Sequence, residues 1–144
     1  MYTAGTLTEA QAGQVNPVVL AFLGDAVFSL WVRERLVLSG GNSASAFQRT
    51  AGKLVSARGQ SAFLERVLPL LTERETEIFK RGRNAKKGTK SKHASVAEYN
   101  RSTGIEAVLG YLHLTGDTAR IETLMSCFKD EELHGESVDK PYKP

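Results

Sequence analysis

The chain has 144 residues, 19 of them Lys or Arg and 16 acidic, and 41% of it is hydrophobic. Domains run to about 100–150 residues, and a chain of this size buries roughly 68–70% of its unfolded surface, so a single domain without disulfides or a structural metal is expected. The lone cysteine, Cys127, excludes an intrachain disulfide or a cysteine-rich zinc site within these residues, and the near-average composition excludes disorder and collagen-like repeats.

Residues 1–15 have neither a basic start nor an apolar run, so they are read as an N-terminal extension and not as a secretory signal. Asn16 as N-cap, Pro17 as first helical residue and Gly40-Gly41 as a stop predict a helix over 17–38. Its apolar side chains occupy nearly every face, so it must be surrounded, partly by the core and partly by a second copy of the chain. Phe28 and Trp31 are the candidates for its outward side. Gly24, Asp25, Ser29 and Arg33-Glu34-Arg35 keep the run short of the ~18 apolar residues of a membrane span, so a soluble, cytoplasmic protein is expected.

Ser43 caps a second predicted helix through Leu54, and a third is expected from Ser56 to Leu68, ended by Pro69. Thr72 and Glu75 form a capping box for a short helix through Phe79, and Ser95 with Glu98 forms another that opens a long helix lasting to Gly116. Asp117 caps a last helix to Lys129, and the charged, aperiodic residues 130–144 are read as an unstructured tail. Helix signals recur throughout and strand signals do not, so the expected class is all-α, with the domain at 16–129.

Charge is concentrated in residues 80–92, which hold seven Lys or Arg and no acid, leaving 12 bases against 16 acids elsewhere. Such a cluster is a solvated loop, an address signal or an electrostatic footprint for phosphates. It contains no aromatic residue, which argues against a base-stacking binder of single strands. Two acids interrupt apolar runs: Asp25, beside Gly24 in the first long helix, and Glu106, between Ile105 and Ala107 in the second. A carboxylate in apolar surroundings costs several kcal/mol unless paired, hydrogen-bonded or metal-bound. Each could pair with a buried Arg or lie at a rim; alternatively both face one cleft and share a hard divalent cation.

The run Leu20-Ala21-Phe22-Leu23-Gly24-Asp25 resembles the signature helix of the ribonuclease III family, whose general form is Leu-Glu-Phe-Leu-Gly-Asp. The run from Ser102 to Gly110, containing Glu106-Ala107-Val108-Leu109-Gly110, is similar to that family's second acidic motif, which ends Glu-Ala-Leu-Ile-Gly. Residues 54–57 and 80–86 resemble more narrowly the Mini-III branch, which consists of the endonuclease domain without a double-stranded-RNA-binding domain. Ala21, Thr103 and Val18 stand where the larger enzymes carry further acids, which leaves the number of metals open.

The resemblance implies a helical, homodimeric endonuclease that cleaves double-stranded RNA, with maturation of precursor large-subunit (23S-type) ribosomal RNA ends as its task. Asp25 and Glu106 would be the catalytic and metal-binding residues, holding Mg2+ or, as a substitute, Mn2+, with the Thr103 hydroxyl a further candidate ligand. Phosphate contacts would come from Arg81, Arg83, Asn84, Lys86, Lys87, Lys90 and Lys92 of a loop made flexible by Gly82 and Gly88, with Lys53 and Arg58 as weaker candidates. None of His93, His113 and His134 is assigned to chemistry. The competing reading is a ribonuclease III-like protein that binds RNA or ribosomal particles without cutting.

Overall fold

The computed structural model describes residues 5–41, 43–87 and 95–133, and every regular element among them is helical. Seven α-helices follow in order: α1 Glu9–Gly13, α2 Pro17–Ser39, α3 Ala44–Val55, α4 Ser61–Val67, α5 Glu73–Asn84, α6 Val96–Thr115 and α7 Thr118–Met125. Short 3-10 turns cover Leu68–Leu70 and Asp130–Leu133. The helix starts obey local chemistry: the Asn16 side chain accepts from the Val18 amide, Ser43 from Ala46 and Asp117 from Arg120. Both predicted capping boxes form, at Thr72 with Glu75 and at Ser95 with Glu98.

The centre of the fold is the crossing of α2 and α6, which make the most extensive contact between elements. Gly24 meets the main chain at Glu106, while Gly110 meets the carbonyl of Leu20, so the two helices run antiparallel at backbone distance. Larger side chains would hold the helices farther apart; two glycines on facing sides remove that barrier. Around this pair Phe63 and Phe128 stack at 4.3 Å between ring centroids, and Phe28 packs edge-on to each at 5.7 Å. Helix α5 lies against the other side of α6, where Gly82 faces Gly104 and Ala107.

Several sequence expectations change in the folded chain. The first 15 residues include α1, opened by a capping box of Thr8 and Gln11, and Ala12 is fully buried. Gly5 and Leu7 donate to the carbonyls of His113 and Leu114 at 3.1 and 3.0 Å, pairing acceptors in the last turn of α6 that a helix end leaves open. The third expected helix begins at Ser61 and not at Ser56, because Ser56 ends α3 and its hydroxyl accepts from the Gly59 amide in a tight turn. Helix α5 continues past Phe79 to Asn84, so residues 80–84 are helix and not loop. Helix α7 stops at Met125, short of Lys129, and the tail begins with a 3-10 turn in which Leu133 is buried.

Candidate active site

The α2–α6 crossing opens on one side into a cleft of about 410 Å³. Asp25 enters it from α2 and Thr103 and Glu106 from α6; Ser56 and Ala57 contribute from the turn after α3, and Lys87 from just beyond α5. The two acids thus come together although 81 positions separate them in sequence. Their surroundings differ: Asp25 is exposed despite its apolar neighbours in sequence, because the helix side it occupies faces the open cleft, whereas Glu106 is partly buried. Burial pushes the Glu106 carboxyl up to about 9, hydrogen bonding with Asp25 and the Asp25 charge push in the same direction, and hydrogen bonding from Gln60 opposes them. At neutral pH Glu106, partly buried and with no cation to offset it, therefore retains its proton.

Gln60, fully buried beside this pair, was not singled out by sequence reasoning. Its Nε2 donates to the Val55 carbonyl at 3.0 Å, and its Oε1 has no partner. The only local signal is the Ser56–Gly59 turn that swings Gln60 inward, a stretch whose sequence pattern suggests helix. Thr103 donates its hydroxyl to the Tyr99 carbonyl at 3.0 Å, so one of its functions is already internal to α6. Ala21 lines the cleft as well, leaving open space where the resemblance puts a further acid. Among the described residues no cluster of three or more His, Cys, Asp or Glu side chains could hold a metal, so the protein offers this pair of carboxylates.

The basic candidates separate into groups. Arg81 Nη1 donates to the Gly13 carbonyl at 2.8 Å and ties α5 to α1, a structural engagement that its place in a supposed loop did not suggest. Gly82 is no hinge: a Cβ there would lie 3.0 Å from that of Ala107, so the glycine serves the packing of α5 on α6. Arg83 lies over the Phe79 ring at 5.8 Å and donates to Asn84 Oδ1. Asn84 and Lys86 are exposed, as are Lys53 and Arg58, which flank the cleft-lining residues Val55, Ser56 and Ala57 in sequence. Lys87 points back, its Nζ donating to the carbonyls of Arg83 and Ala85 at 3.1 and 2.7 Å. Gly88, Lys90, Lys92, His93 and His134 lie outside the described residues. His113 is buried in α6 and does not line the cleft.

This arrangement of helices and paired acids is that of a ribonuclease III domain, and the ribonuclease III domain family matches residues 18–117. The chain belongs to the ribonuclease III family and is an endoribonuclease of that class. Within the family its relatives are those of the Mini-III branch: it is 46% identical over 114 residues to the Mini-ribonuclease 3 of Streptococcus pneumoniae, covering 78% of this chain and 89% of that one. Identity to the Mini-ribonuclease 3 of Brevibacillus brevis is 42% over 110 residues, 76% of this chain and 82% of the relative. A crystal structure of a Fusobacterium nucleatum protein superposes with a TM-score of 0.72 at 27% identity, covering 83% of this chain and 94% of the other.

Proposed function

We propose that the chain hydrolyses double-stranded RNA as a homodimer, using a divalent cation, Mg2+ or alternatively Mn2+, held by Asp25 and Glu106. The observation that carries this is the convergence of the two carboxylates in one open cleft. The donor set fits such a cation: two carboxyl groups, one accessible and one partly buried, offer oxygen ligands once ionised and suit a hard ion that keeps several waters and is bound through one or two carboxylates. When bound, a divalent cation supplies a more acidic water and neutralises charge on the phosphate.

The protein's own residues perform the rest. Asp25 lies at the exposed rim where a phosphate can approach, and Glu106, held against α2 by the glycine crossing, lies deeper. The proton of Glu106 must leave to solvent before its carboxylate serves as a ligand, since both carboxylates are to hold the cation. The leaving ribose oxygen takes its proton from solvent, in keeping with a described cleft that holds no histidine.

Duplex RNA is recognised largely through its phosphates, 2′-hydroxyls and shape, and exposed polar and basic groups suited to that task lie near cleft-lining residues in sequence. Asn84 and Lys86 are exposed next to the cleft residue Lys87, Lys53 and Arg58 are exposed on the two flanks of the cleft-lining stretch 55–57, and Arg83, Lys90 and Lys92 belong to the same basic segment in sequence. Arg81 contributes through the fold more than through RNA, since its guanidinium already serves Gly13. Dimerisation has support in the outer side of α2, where Phe22 is 82% exposed and Val19, Leu30, Val37 and Leu38 continue the apolar strip. The substrate we favour is the duplex formed by precursor large-subunit (23S-type) ribosomal RNA ends, the task that the resemblance to the Mini-III branch implies, which agrees with action in the cytoplasm. Among the described residues no helix is long and apolar enough to cross a membrane.

The test is incubation of the purified protein with a perfect RNA duplex, with and without Mg2+. Shorter duplex products that require the cation are expected. Tight binding with no cleavage in Mg2+ or Mn2+ would favour the non-cutting, RNA-binding alternative.

A further inference from the structure

Only one cation among the described residues of the basic segment lines the cleft that holds Asp25 and Glu106, and that cation is Lys87. Lys80 and Lys86, which precede it, are exposed and do not line the cleft, and Arg81 is engaged by the Gly13 carbonyl. The Lys87 side chain is not free to wander: two of its three ammonium protons go to the carbonyls of Arg83 and Ala85, which close the end of α5. One donor remains for an anion. The ammonium is also partly shielded from water, since burial pushes its pKa down, and a shielded charge acts more strongly on a neighbour than a solvated one.

We infer that Lys87 is a catalytic residue that donates its remaining hydrogen bond to a non-bridging oxygen of the phosphate being cut, and does not merely add to duplex affinity. The inference rests on the proposed phosphodiester hydrolysis. In that reaction a water oxygen bonds to phosphorus and loses a proton to solvent, the bond from phosphorus to the leaving ribose oxygen breaks, and that oxygen takes up a proton. Negative charge rises on the non-bridging oxygens as the water adds, so a donor already fixed in place gains most at the transition state. A fixed donor costs no reorganisation at that moment, which distinguishes Lys87 from the solvated cations beside it.

The experiment separates rate from affinity. Single-turnover cleavage of a perfect RNA duplex at saturating protein and Mg2+ is measured for the unaltered chain, Lys87→Ala, Lys87→Met and Lys87→Arg. Duplex affinity is measured for the same substitutions in an Asp25→Asn background, and melting temperatures for all. Lys87→Ala and Lys87→Met are expected to slow the saturated rate by about 100-fold, the order found when one fixed donor to a developing oxyanion is removed. Affinity should barely change, and Lys87→Arg should recover part of the rate. A saturated rate equal to that of the unaltered chain, with only affinity reduced, overturns the inference and leaves the reaction intact. A rate loss that follows falling melting temperature in all three variants also overturns it, assigning Lys87 to closing α5. Failure of the unaltered chain to cleave at all removes the proposed reaction and Lys87's role with it.

Discussion

Gly24 of α2 lies so close to the main chain of Glu106 on α6 that a Cβ at residue 24 would sit 1.7 Å from the Glu106 carbonyl oxygen. The glycine that precedes one acid is thus the surface on which the other acid's helix rests. Gly110 repeats the close approach one turn along, where a Cβ would sit 2.0 Å from the Leu20 carbonyl oxygen. Gly24→Ala and Gly110→Ala should each force the helices apart, at a cost of about 3 kcal/mol or more, since overpacking at backbone has no flexible neighbour to give way. Denaturant unfolding measures the loss, and duplex cleavage should fall further than stability because the carboxylates separate.

Asp25→Asn and Glu106→Gln should both abolish cleavage while leaving the fold intact, since each keeps its side chain's shape. Their effects on stability should differ with pH. The folded-state Glu106 carboxyl is raised from its ordinary 4.5 to about 9, so the folded protein holds a proton that the unfolded chain has released between these values. Stability from this group is full below 4.5 and is lost as pH rises through about 9. Thermal melts in chelator should therefore show stability declining over that window in the unaltered chain, with a shallower decline in Glu106→Gln. Added Mg2+ should offset the decline in the unaltered chain alone, because binding requires the deprotonated pair.

The outer side of α2 should decide the oligomeric state. Phe22→Glu and Leu30→Glu, both at exposed positions, are expected to give folded monomers by sedimentation, and the unaltered chain a dimer. Phe28→Glu and Trp31→Glu would not test this. Phe28 is fully buried between Phe63 and Phe128, and Trp31 donates its indole N–H to Glu122 at 2.7 Å while stacking on Phe128. A charge at residue 28 should unfold the chain. A folded monomer as the unaltered form would refute the dimer.

Lys86→Ala and Arg58→Ala, both at exposed positions, should weaken duplex binding for every sequence alike and flatten its salt dependence. For every phosphate that is no longer neutralised, the slope of log affinity against log salt should change by about 0.7–0.9, a value set by counterion release in DNA systems. Arg81→Ala should act differently, lowering melting temperature through loss of its bond to Gly13. Equal salt slopes in Lys86→Ala, Arg58→Ala and the unaltered chain would remove both residues from the RNA interface.

The amino-acid sequence by itself determined where most helices begin, which residues cap them and that two acids interrupt apolar runs. Those properties are settled within a few residues: Thr72 and Glu75, or Ser95 and Glu98, find each other across one turn whatever the rest of the chain does. The tertiary structure alone decided the rest. A helix apolar on all sides carries no mark of its outward face, so only packing against Phe63 and Phe128 turned Phe28 inward and left Phe22 outside. Likewise Gly82 and Arg81 read as loop residues until α6 and Gly13 stood beside them, and Lys87 was one cation among seven until the fold placed it in the lining of the cleft that holds the carboxylates. Capping is an interaction between near neighbours in sequence; burial, close approach and the direction of a side chain's charge are set by residues far away in the chain, which only folding brings near.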